Sequence, residues 1–346
     1  MKKWYQLKGP ESEVALSACV RLSRNLRGIP FPAGLGNSEK REITEKICEA
    51  VFNENSSVSN TFQLIDLEQI SDDEAIALAE RGLVNAGFID DRSGRSVLVS
   101  KDESLCIMMN GEDHFLIQSR TAGLCLIDAY NTADWLDTIL DKTLHFAFDQ
   151  RLGYLTRNPA ILGTGMVASI NLHLPALSDT GAAVRIASNL QPLGMSLRGV
   201  GNSAVRPRGA VFRLSNRMTL GLSEQEAITN LSGIAGQIIA QERAARNKLI
   251  QDITVQDTVG RSLGILQSAR LLGYDEFLDL ISVVRFGVAV GFVKDIRYET
   301  IDDLVMRVQP ANVTLETGRR LTADERRAAR ANIVRDTFAG KQNGGA

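Results

Sequence analysis

The chain of 346 residues contains 44% hydrophobic and 23% charged residues, which is typical of a globular protein and excludes a predominantly disordered one. Its length suits one large domain with a smaller second one. A formal net charge of −2 argues against a general nucleic-acid binder. Without a long apolar segment or a recognisable secretory signal, we expect a cytoplasmic protein with no membrane anchor.

The N-terminal part of the chain predicts strands and one helix. Residues 14–22 alternate in polarity, which indicates a half-buried strand with Cys19 and Arg21 side by side on its open face. Residues 37–52 have apolar side chains at helical spacing. Residues 97–118 predict an antiparallel meander of three short strands. The apolar face of the first strand is predicted to consist of Val14, Leu16, Ala18, Val20 and Leu22.

Helices become more frequent further along the chain. Two of them are predicted to begin with Ser/Thr-x-x-Glu capping boxes, at Ser223 and at Thr322. Strands thus mix with helices over residues 1–250, and a helical module occupies residues 251–346, which together make an α+β fold with two domains. In chain order, the remaining elements are a helix at 128–148, strands at 167–174 and 209–215, and a helix at 223–252.

Four segments carry side chains that could bind an anion or act in catalysis. Each segment has an ordinary explanation: exposed arginines are usually solvated, acids in turns bind backbone, and glycines are common at bends. Taken separately, they indicate no more than an anion-binding cleft. The segments are the first strand with Arg21 and Arg24, the "NGEDH" turn with Glu112, Asp113 and His114, the bend in 157–175, and the loop 197–209 with Arg198, Arg206 and Arg208.

The four cysteines and three histidines are scattered along the chain. Their spacing fits neither a zinc site nor a disulfide framework. We therefore predict reduced cysteines and no metal ligands among the side chains.

Five segments in the same order resemble the ATP:guanidino phosphotransferase family, and within it the bacterial protein arginine kinases. They are "KGPESEVALSACVRLSRNLRGIPFP", "NGEDHFLIQ", "GYLTRNPAILGTGMVASINLHLPAL", "LRGVG" and "FRLSNRMTLGLSEQEAITNL". The resemblance extends from about residue 4 to the terminal helix. It implies a curved antiparallel sheet flanked by helices, ATP and Mg²⁺ as cofactors, arginine-containing proteins as substrates or partners, and a homodimer formed through the helical module.

The chemistry of this family explains which residue types its site needs. A guanidinium is a poor nucleophile because it is delocalised and protonated. The catalyst must orient it with carboxylates, and it must neutralise a polyphosphate with fixed positive charges. By resemblance, Glu112 and Asp113 are catalytic residues, and the nucleotide-binding residues are Arg21, Arg24, Arg198 and His114.

Other positions of the family's site hold different residues in this chain. Removing one preorganised donor typically slows a reaction by about 10²–10³-fold, so several replacements together predict impaired phosphoryl transfer. Arg206 and Arg208 are candidates to supply substitute charges from their loop. By resemblance, the family's arginines are replaced at Cys19, Leu116 and Val167, its second catalytic glutamate at Ser203, its cysteine at Asn158 and the first acid of its turn at Gly111.

The final helix carries a second candidate site. Protein arginine kinases resemble one another there in an Arg-Asp-x-x-Arg-Ala motif that binds phosphoarginine. In "RRAARA" of this chain, Arg326 and Arg330 match the motif, and Arg327 stands at the position of the acid. Two arginines one turn apart suit a phosphate, but a solvated basic helix face explains the pattern equally well.

The sequence therefore leaves three functions open. The first is a catalytically impaired member, a pseudokinase that binds protein partners in protein quality control. The second is an active protein arginine kinase with a rearranged site, in which Glu112 orients the acceptor and Arg21, Arg24 and Arg198 bind the nucleotide. A small-molecule phosphagen kinase is the least favoured, because the segments follow the bacterial branch and the long N-terminal helical domain of those enzymes is not evident.

Overall fold

The computed structural model describes residues 1–53, 61–201 and 207–339. Eight strands form one sheet, in which all neighbouring strands are antiparallel. The strands are β1 (Ala15–Arg24), β2 (Phe62–Asp66), β3 (Ser96–Ser100), β4 (Leu105–Met109), β5 (Phe115–Ala122), β8 (Met166–His173), β9 (Met195–Gly199) and β10 (Val211–Asn216), with β6 (Phe148–Asp149) and β7 (Gly153–Tyr154) in a separate ribbon. The order across the sheet is β2-β3-β4-β5-β1-β8-β10-β9.

The helices surround the sheet and then form a C-terminal bundle. Both predicted capping boxes are confirmed, since Ser223 and Thr322 exchange hydrogen bonds with Glu226 and Glu325. The α+β fold with a helical C-terminal region is confirmed as well. In chain order, the helices are α1 (Asn37–Asn53), α2 (Asp72–Glu80), α3 (Ala86–Asp90), α4 (Leu126–Leu144), α5 (Pro175–Asp179), α6 (Ala182–Leu190), α7 (Glu224–Leu249), α8 (Ile253–Ser268), α9 (Tyr274–Ala289), α10 (Tyr298–Arg307), α11 (Pro310–Thr317) and α12 (Ala323–Ala339).

One face of the sheet is buried under helices, and we call it the covered face. Helix α4 packs on β1 and β5, helix α7 packs on β8 and β10, and α1 lies against α4. The helices settle there because each has an apolar stripe; in α4, Ala129, Ala133, Leu136 and Leu140 recur at three- and four-residue spacing and are all buried. Full burial of one such large side chain contributes about 1.5–3 kcal/mol.

The first strand differs from its prediction at one end. Ala18, Val20 and Leu22 lie on the covered face as predicted, but Ala15 replaces Leu16 in the core. The cause is a shift of register against β8 between Ala15 and Ser17, which breaks the strict alternation of side chains. Cys19 is also buried, so β1 is a central strand enclosed on both sides over much of its length.

Helix α4 is shorter than the predicted helix at 128–148. It ends at Leu144, because His145 adopts a left-handed conformation with a φ of 50°. The chain then continues into the β6–β7 ribbon.

The opposite face of the sheet is divided into two parts. Over β3 and β4, side chains such as Val97 and Met108 pack against Leu78 of α2 and Phe88 of α3. Across β5, β1, β8, β10 and β9, the same face carries mainly polar and charged side chains. We call this second part the open face.

The C-terminal helices have a core of their own and join the sheet domain through polar contacts. Glu80, at the end of α2, accepts hydrogen bonds from the backbone of Ala311 and Asn312 at the start of α11. Arg285 of α9 binds Asp302 and the carbonyl of Ser12. Within residues 1–53, 61–201 and 207–339, none of the helices combines the length and apolar character needed to cross a bilayer.

Candidate active site

The strand register brings several predicted site residues together on the open face. Arg21 lies directly between Gln118 of β5 and Val167 of β8. Two residues away along β1, Cys19 lies between Arg120 and Ser169. Directly opposite residues in antiparallel strands point to the same face, so all of these side chains share one surface.

Two further arginines lie opposite each other at the edge of that surface. Arg213 of β10 pairs directly with Arg198 of β9, and both are exposed. The Nε of Arg213 donates to Oδ1 of Asn171 on β8 at 3.2 Å. Asn171 in turn donates to Oγ of Ser17 on β1 at 3.1 Å, so polar contacts connect the edge of the sheet to its centre.

Positive charge on this face is not balanced by neighbouring acids. We call Arg21, Arg120, Arg198 and Arg213 the arginine surface. Over the part of the chain that the structure describes, none of the four has a carboxylate within the 4.0 Å of an ion pair. Desolvation by surrounding side chains, and then the positive charge of Arg21, lowers the pKa of Arg213, with Arg120 adding to the effect. The charges of Arg21 and Arg120 therefore act on Arg213.

The wall of the open face is formed by the turn after α2. The carbonyl of Gly82 accepts hydrogen bonds from Nε2 of Gln118 and from Nη2 of Arg120, both at 2.9 Å. Gln118 also accepts from Nε of Arg21 at 2.8 Å. Arg120 is 9% exposed, and its guanidinium lies 5.4 Å from the ring centre of Trp4. This network fixes the orientation of Arg21 and Arg120.

The predicted catalytic turn divides into one exposed residue and two buried ones. Glu112 is exposed. Asp113 is buried and accepts hydrogen bonds from Nδ2 of Asn25 at 2.7 Å and from the backbone N–H of Arg157 at 2.8 Å. Asp113 therefore joins three segments of the fold, and Glu112 is the exposed acid of the two.

His114 occupies an interior position rather than the open face. Its Nδ1 accepts from the backbone N–H of Leu26 at 2.9 Å, so its Nε2 donates to the carbonyl of Pro30, 2.8 Å away. Burial lowers the pKa of His114. These contacts make it a neutral residue that fixes the segment after β1, which corrects the expectation that it faces a nucleotide.

Arg24 points away from Arg21. It is 2% exposed and donates to Oδ2 of Asp137 on α4 at 2.8 Å and to the carbonyl of Thr164 at 3.0 Å. Its guanidinium also stacks on the ring of Tyr154 at 3.5 Å. Residues three apart on a strand lie on opposite faces, so Arg24 belongs to the covered face. The expectation that it binds the nucleotide beside Arg21 is corrected accordingly.

The Gly-Thr-Gly bend at 163–165 is packed tightly against its surroundings. A Cβ on Gly163, whose φ is 100°, would lie 2.2 Å from the carbonyl oxygen of Thr219, and one on Gly165 would lie 2.8 Å from that of Ser23. Thr164 donates its N–H to Thr219 at 3.1 Å. The glycines are therefore required by the fold itself. Asn158 precedes the bend, is exposed, and accepts from the N–H of Ala160 at 3.0 Å.

Of the two loop arginines considered as substitutes, Arg208 lies among the described residues and Arg206 does not. Arg208 forms an ion pair with Asp279 of α9, which directs it to the C-terminal helices and away from the open face. Arg206 and Ser203 lie outside the described residues.

The candidate phosphoarginine residues lie in the terminal helix, but one of them is internal. Arg330 is 2% exposed and donates to the carbonyls of Val308 and Leu272 at 2.7 and 3.0 Å. Arg326 is half-buried and donates to the carbonyl of Leu321 at 2.9 Å. Arg330 thus holds α12 against the rest of the module, which does not match a residue that presents its guanidinium to a ligand.

The arginine surface suits the polyphosphate of ATP, the cofactor that the resemblance implies. Guanidinium groups bind phosphate through two parallel N–H···O bonds, and these four lack competing carboxylates among the described residues. Mg²⁺ bound with such a nucleotide is held largely by phosphate oxygens and water. Within the same described ranges, there is no group of three or more His, Cys, Asp and Glu side chains arranged to hold a metal.

Comparisons with known proteins agree with this architecture. The model of the ATP:guanido phosphotransferase C-terminal catalytic domain matches residues 42–245, and that of the protein-arginine kinase McsB C-terminal domain matches residues 252–345. The protein-arginine kinase of Clostridium acetobutylicum is 35% identical over 340 residues, which cover 98% of this chain and 100% of that protein. The protein-arginine kinase of Pelotomaculum thermopropionicum is 37% identical over 339 residues, covering 97% and 95%.

Solved structures show the same fold. A duplicated taurocyamine kinase from Schistosoma mansoni with bound transition state analog components matches with a TM-score of 0.57 and 26% identity, over 66% of this chain and 33% of that chain. A lombricine kinase matches with a TM-score of 0.60 and 22% identity, over 68% of each chain. The chain therefore belongs to the ATP:guanido phosphotransferase family, in the branch of the protein-arginine kinases.

Proposed function

We propose that this chain is a catalytically impaired protein-arginine kinase that acts through binding, as a regulatory member of a protein quality-control system. The observation that carries the proposal is the set of uncharged residues around Arg21. Val167 lies directly opposite Arg21, Cys19 lies two residues along the same strand, and Leu116 lies opposite Ser23. By resemblance, all three positions hold arginines in the family, so charge is missing from the centre of the site.

The missing charge matters because phosphoryl transfer depends on it. Fixed positive groups stabilise the charge on the transferred phosphoryl group, and Mg²⁺ bound with ATP supplies part of that neutralisation. In this chain, Arg21 and Arg198 remain from the family's set, while Glu112 remains as an exposed carboxylate for the acceptor. Asn158, which replaces the family's cysteine, has no comparable acid–base chemistry. Binding can persist at such a site while transfer becomes slow.

A second candidate function is that of an active protein-arginine kinase with a rearranged site. The observation in its favour is the arginine surface, because Arg120 and Arg213 add two positive charges to Arg21 and Arg198 on the same face. Under this alternative, Glu112 orients the acceptor guanidinium. Arg24 and His114 have no part in it, since both are engaged inside the fold.

A phosphorylation assay separates the two functions. An arginine-rich protein is incubated with ATP and Mg²⁺, acid-labile phosphoarginine is measured, and the protein-arginine kinase of Clostridium acetobutylicum is run in parallel. We expect this chain to be slower by at least about 10²-fold, the typical cost of one lost donor. A rate similar to that of the relative, and abolished by Glu112→Gln, would instead establish the active alternative.

Partners and assembly are part of the same proposal. The relatives' name implies protein substrates, so we propose protein partners or arginine-containing substrates, a homodimer and a cytoplasmic location. Binding of phosphoarginine at Arg326 is also proposed, with Arg330 supporting the helix from inside. Size-exclusion chromatography with light scattering tests the dimer, and a monomer at micromolar concentration would contradict it.

A further inference from the structure

We infer that the arginine surface binds a chain of phosphoryl groups, and that Arg120 and Arg213 supply part of the positive charge from positions that do not match the family's arginines. The inference rests on the proposed function only in taking the ligand from the family's chemistry. It does not require that phosphoryl transfer occurs. The reasons are the cross-strand positions, the lack of acidic partners and the orientation of the side chains.

Arg120 lies where a lost charge can be replaced across a single strand spacing. It is directly opposite Cys19, the position at which the family has an arginine. Neighbouring strands are about 4.8 Å apart, which is less than the length of an arginine side chain. In the structure the guanidinium of Arg120 donates to the carbonyl of Gly82 and lies beside the ring of Trp4, so a change of rotamer is needed for it to reach the region that an arginine on β1 would occupy. Compared with the family's arginine at the position of Cys19, the positive charge in this chain lies at the directly opposite residue of the neighbouring strand.

Arg213 and Arg198 are like charges on neighbouring strands. Like charges directly opposite in neighbouring strands destabilise a sheet, unless an anion compensates for them. In this chain, an arginine pair occupies such a position at the edge of the open face. The Asn171 amide holds Arg213 through Nε only, and among the described residues the Nη groups of Arg213 have no hydrogen-bond partner. With respect to the described residues, those Nη groups are therefore available to donate to a ligand.

Most of the other buried arginines are arranged differently. Arg24, Arg246 and Arg285 are each paired with a carboxylate, from Asp137, Glu242 and Asp302. Arg330 instead donates to two carbonyls and has no ion pair among the described residues. Arg120, which is 9% exposed, has a single hydrogen bond to a carbonyl and no ion pair among the described residues. With one carbonyl acceptor and the ring of Trp4 as its described partners, Arg120 keeps hydrogen-bonding capacity that an anion can use.

The spacing of the four arginines favours a phosphate chain over a single phosphate. Arg21 and Arg213 lie on strands separated by β8, about 10 Å across, and they pair with Val167 and Asn171, which are about 13 Å apart along β8, so their Cα atoms are roughly 16 Å apart. One phosphate group is too small to reach both positions, whereas both long side chains can reach toward a chain of two or three linked phosphoryl groups. A nucleotide and an inorganic polyphosphate share this chemistry, and the binding experiment distinguishes them.

The test is calorimetric titration of the full chain with ATP–Mg²⁺ and, separately, with inorganic tripolyphosphate at the same ionic strength. We expect Arg213→Gln to weaken binding by about 10- to 100-fold, as for lost charge-assisted hydrogen bonds, and Arg213→Lys to weaken it less. The matched control is Arg261→Gln, which removes an exposed arginine of α8 that is paired with Asp257. Equal binding of both ligands identifies the phosphate chain as the recognised group, and binding of ATP alone adds contacts to the nucleoside.

Several outcomes would overturn the inference. One is an Arg213→Gln variant that binds ATP–Mg²⁺ as the unmodified chain does, and another is an Arg261→Gln variant that is weakened equally. Absence of binding for both ligands at millimolar concentration is a third. Because the phosphorylation assay measures transfer and this titration measures binding, the inference and the proposed function fail independently.

A charge-relocation experiment tests Arg120 specifically. We expect Arg120→Leu to weaken binding by about 10-fold and the double variant Cys19→Arg/Arg120→Leu to recover most of the loss, because the charge returns to the family's position in the same row. Thermal unfolding and circular dichroism confirm that each variant is folded. Failure of the folded double variant to recover binding would contradict the relocation, and Arg213 keeps the site testable if Arg120→Leu does not fold.

Discussion

Arginines on the two faces of the sheet have different partners, and β1 provides one example on each face, Arg24 and Arg21. Arg24 points to the covered face, where it is 2% exposed and lies 2.8 Å from the carboxylate of Asp137. Arg21 points to the open face, where it has Gln118 and no carboxylate among the described residues. Arg24 is thus held by a carboxylate inside the fold, whereas Arg21 has no countercharge among the described residues. Asp137→Ala and Arg198→Gln test this difference directly, and variants of Glu80 and His173 test two other buried contacts with intermediate expected effects.

Breaking the pair on the covered face should be the most costly change. Asp137→Ala leaves the guanidinium of Arg24 buried without a countercharge, so we expect the free energy of unfolding to fall by about 3–5 kcal/mol. Urea unfolding measures it. The double variant Arg24→Met/Asp137→Leu should recover most of the loss, because it removes both charges at similar volume. The covered face would not depend on the pair if Asp137→Ala lost less than about 1 kcal/mol.

The contact between α2 and α11 should rank second. The carboxylate of Glu80 accepts hydrogen bonds from three donors of Ala311 and Asn312, and burial raises its pKa. Glu80→Ala leaves those donors without their acceptor, so we expect a loss of about 1–3 kcal/mol in urea unfolding. Glu74→Ala, which removes an exposed capping carboxylate in the same helix, is the control and should cost less. Equal losses of unfolding free energy in Glu80→Ala and Glu74→Ala would show that Glu80 contributes no more than an exposed capping carboxylate.

The pH dependence of stability should come from the buried histidines and not from the open face. Burial, followed by the charges of Arg246 and Arg285, holds the pKa of His173 well below 6.5. The unfolded chain therefore takes up a proton that the folded chain does not, and stability falls as pH drops below about 6.5. The maximal slope is about 1.4 kcal/mol per pH unit for each histidine.

Replacement of His173 tests that slope. We expect His173→Gln to reduce the loss of unfolding free energy between pH 7 and pH 5, with the remainder due in part to His114, whose pKa burial also lowers. His145→Asn, at an exposed position, is the control. An unchanged slope in His173→Gln would show that His173 does not titrate on unfolding.

The smallest effect, and one of opposite sign, is expected on the open face. Arg198→Gln relieves the repulsion between directly opposite arginines, so we expect stability to stay constant or to rise by up to about 1 kcal/mol at low salt. Added salt should reduce the gain, since it screens exposed charges. Thermal unfolding at two ionic strengths measures the change in stability and its dependence on salt. A loss above about 1 kcal/mol would show that Arg198 supports the fold, which would remove the contrast with Arg24.

Local patterns predicted much of the fold. The meander of β3, β4 and β5, helix α1 and both capping boxes follow from alternation, helical spacing and end signals. Leu16 was misplaced because a bulge is a property of strand pairing, which alternation alone does not show. β9 was not predicted although Met195 and Leu197 alternate with Ser196 and Arg198, because five residues ending in a glycine give only a short signal.

The candidate site was harder to predict than the fold. The grouping of Arg24 with Arg21 was wrong in a way that strand parity could have revealed, since the two residues are three apart. Asp113 and His114 match the family's residues, but the sequence could not show that both are enclosed by hydrogen bonds. Arg120 and Arg213 were missed because they match no motif, and only the register between strands places them beside Arg21 and Arg198.

The turn after α2 contacts both the open face of the sheet and the C-terminal helices. Gly82, with a φ of 71°, offers the carbonyl that orients Gln118 and Arg120, and a Cβ there would lie 2.5 Å from Nη1 of Arg120. Two residues earlier, Glu80 holds the start of α11. The short segment 80–82 therefore connects the start of α11 to the guanidinium of Arg120 through hydrogen bonds at its two ends.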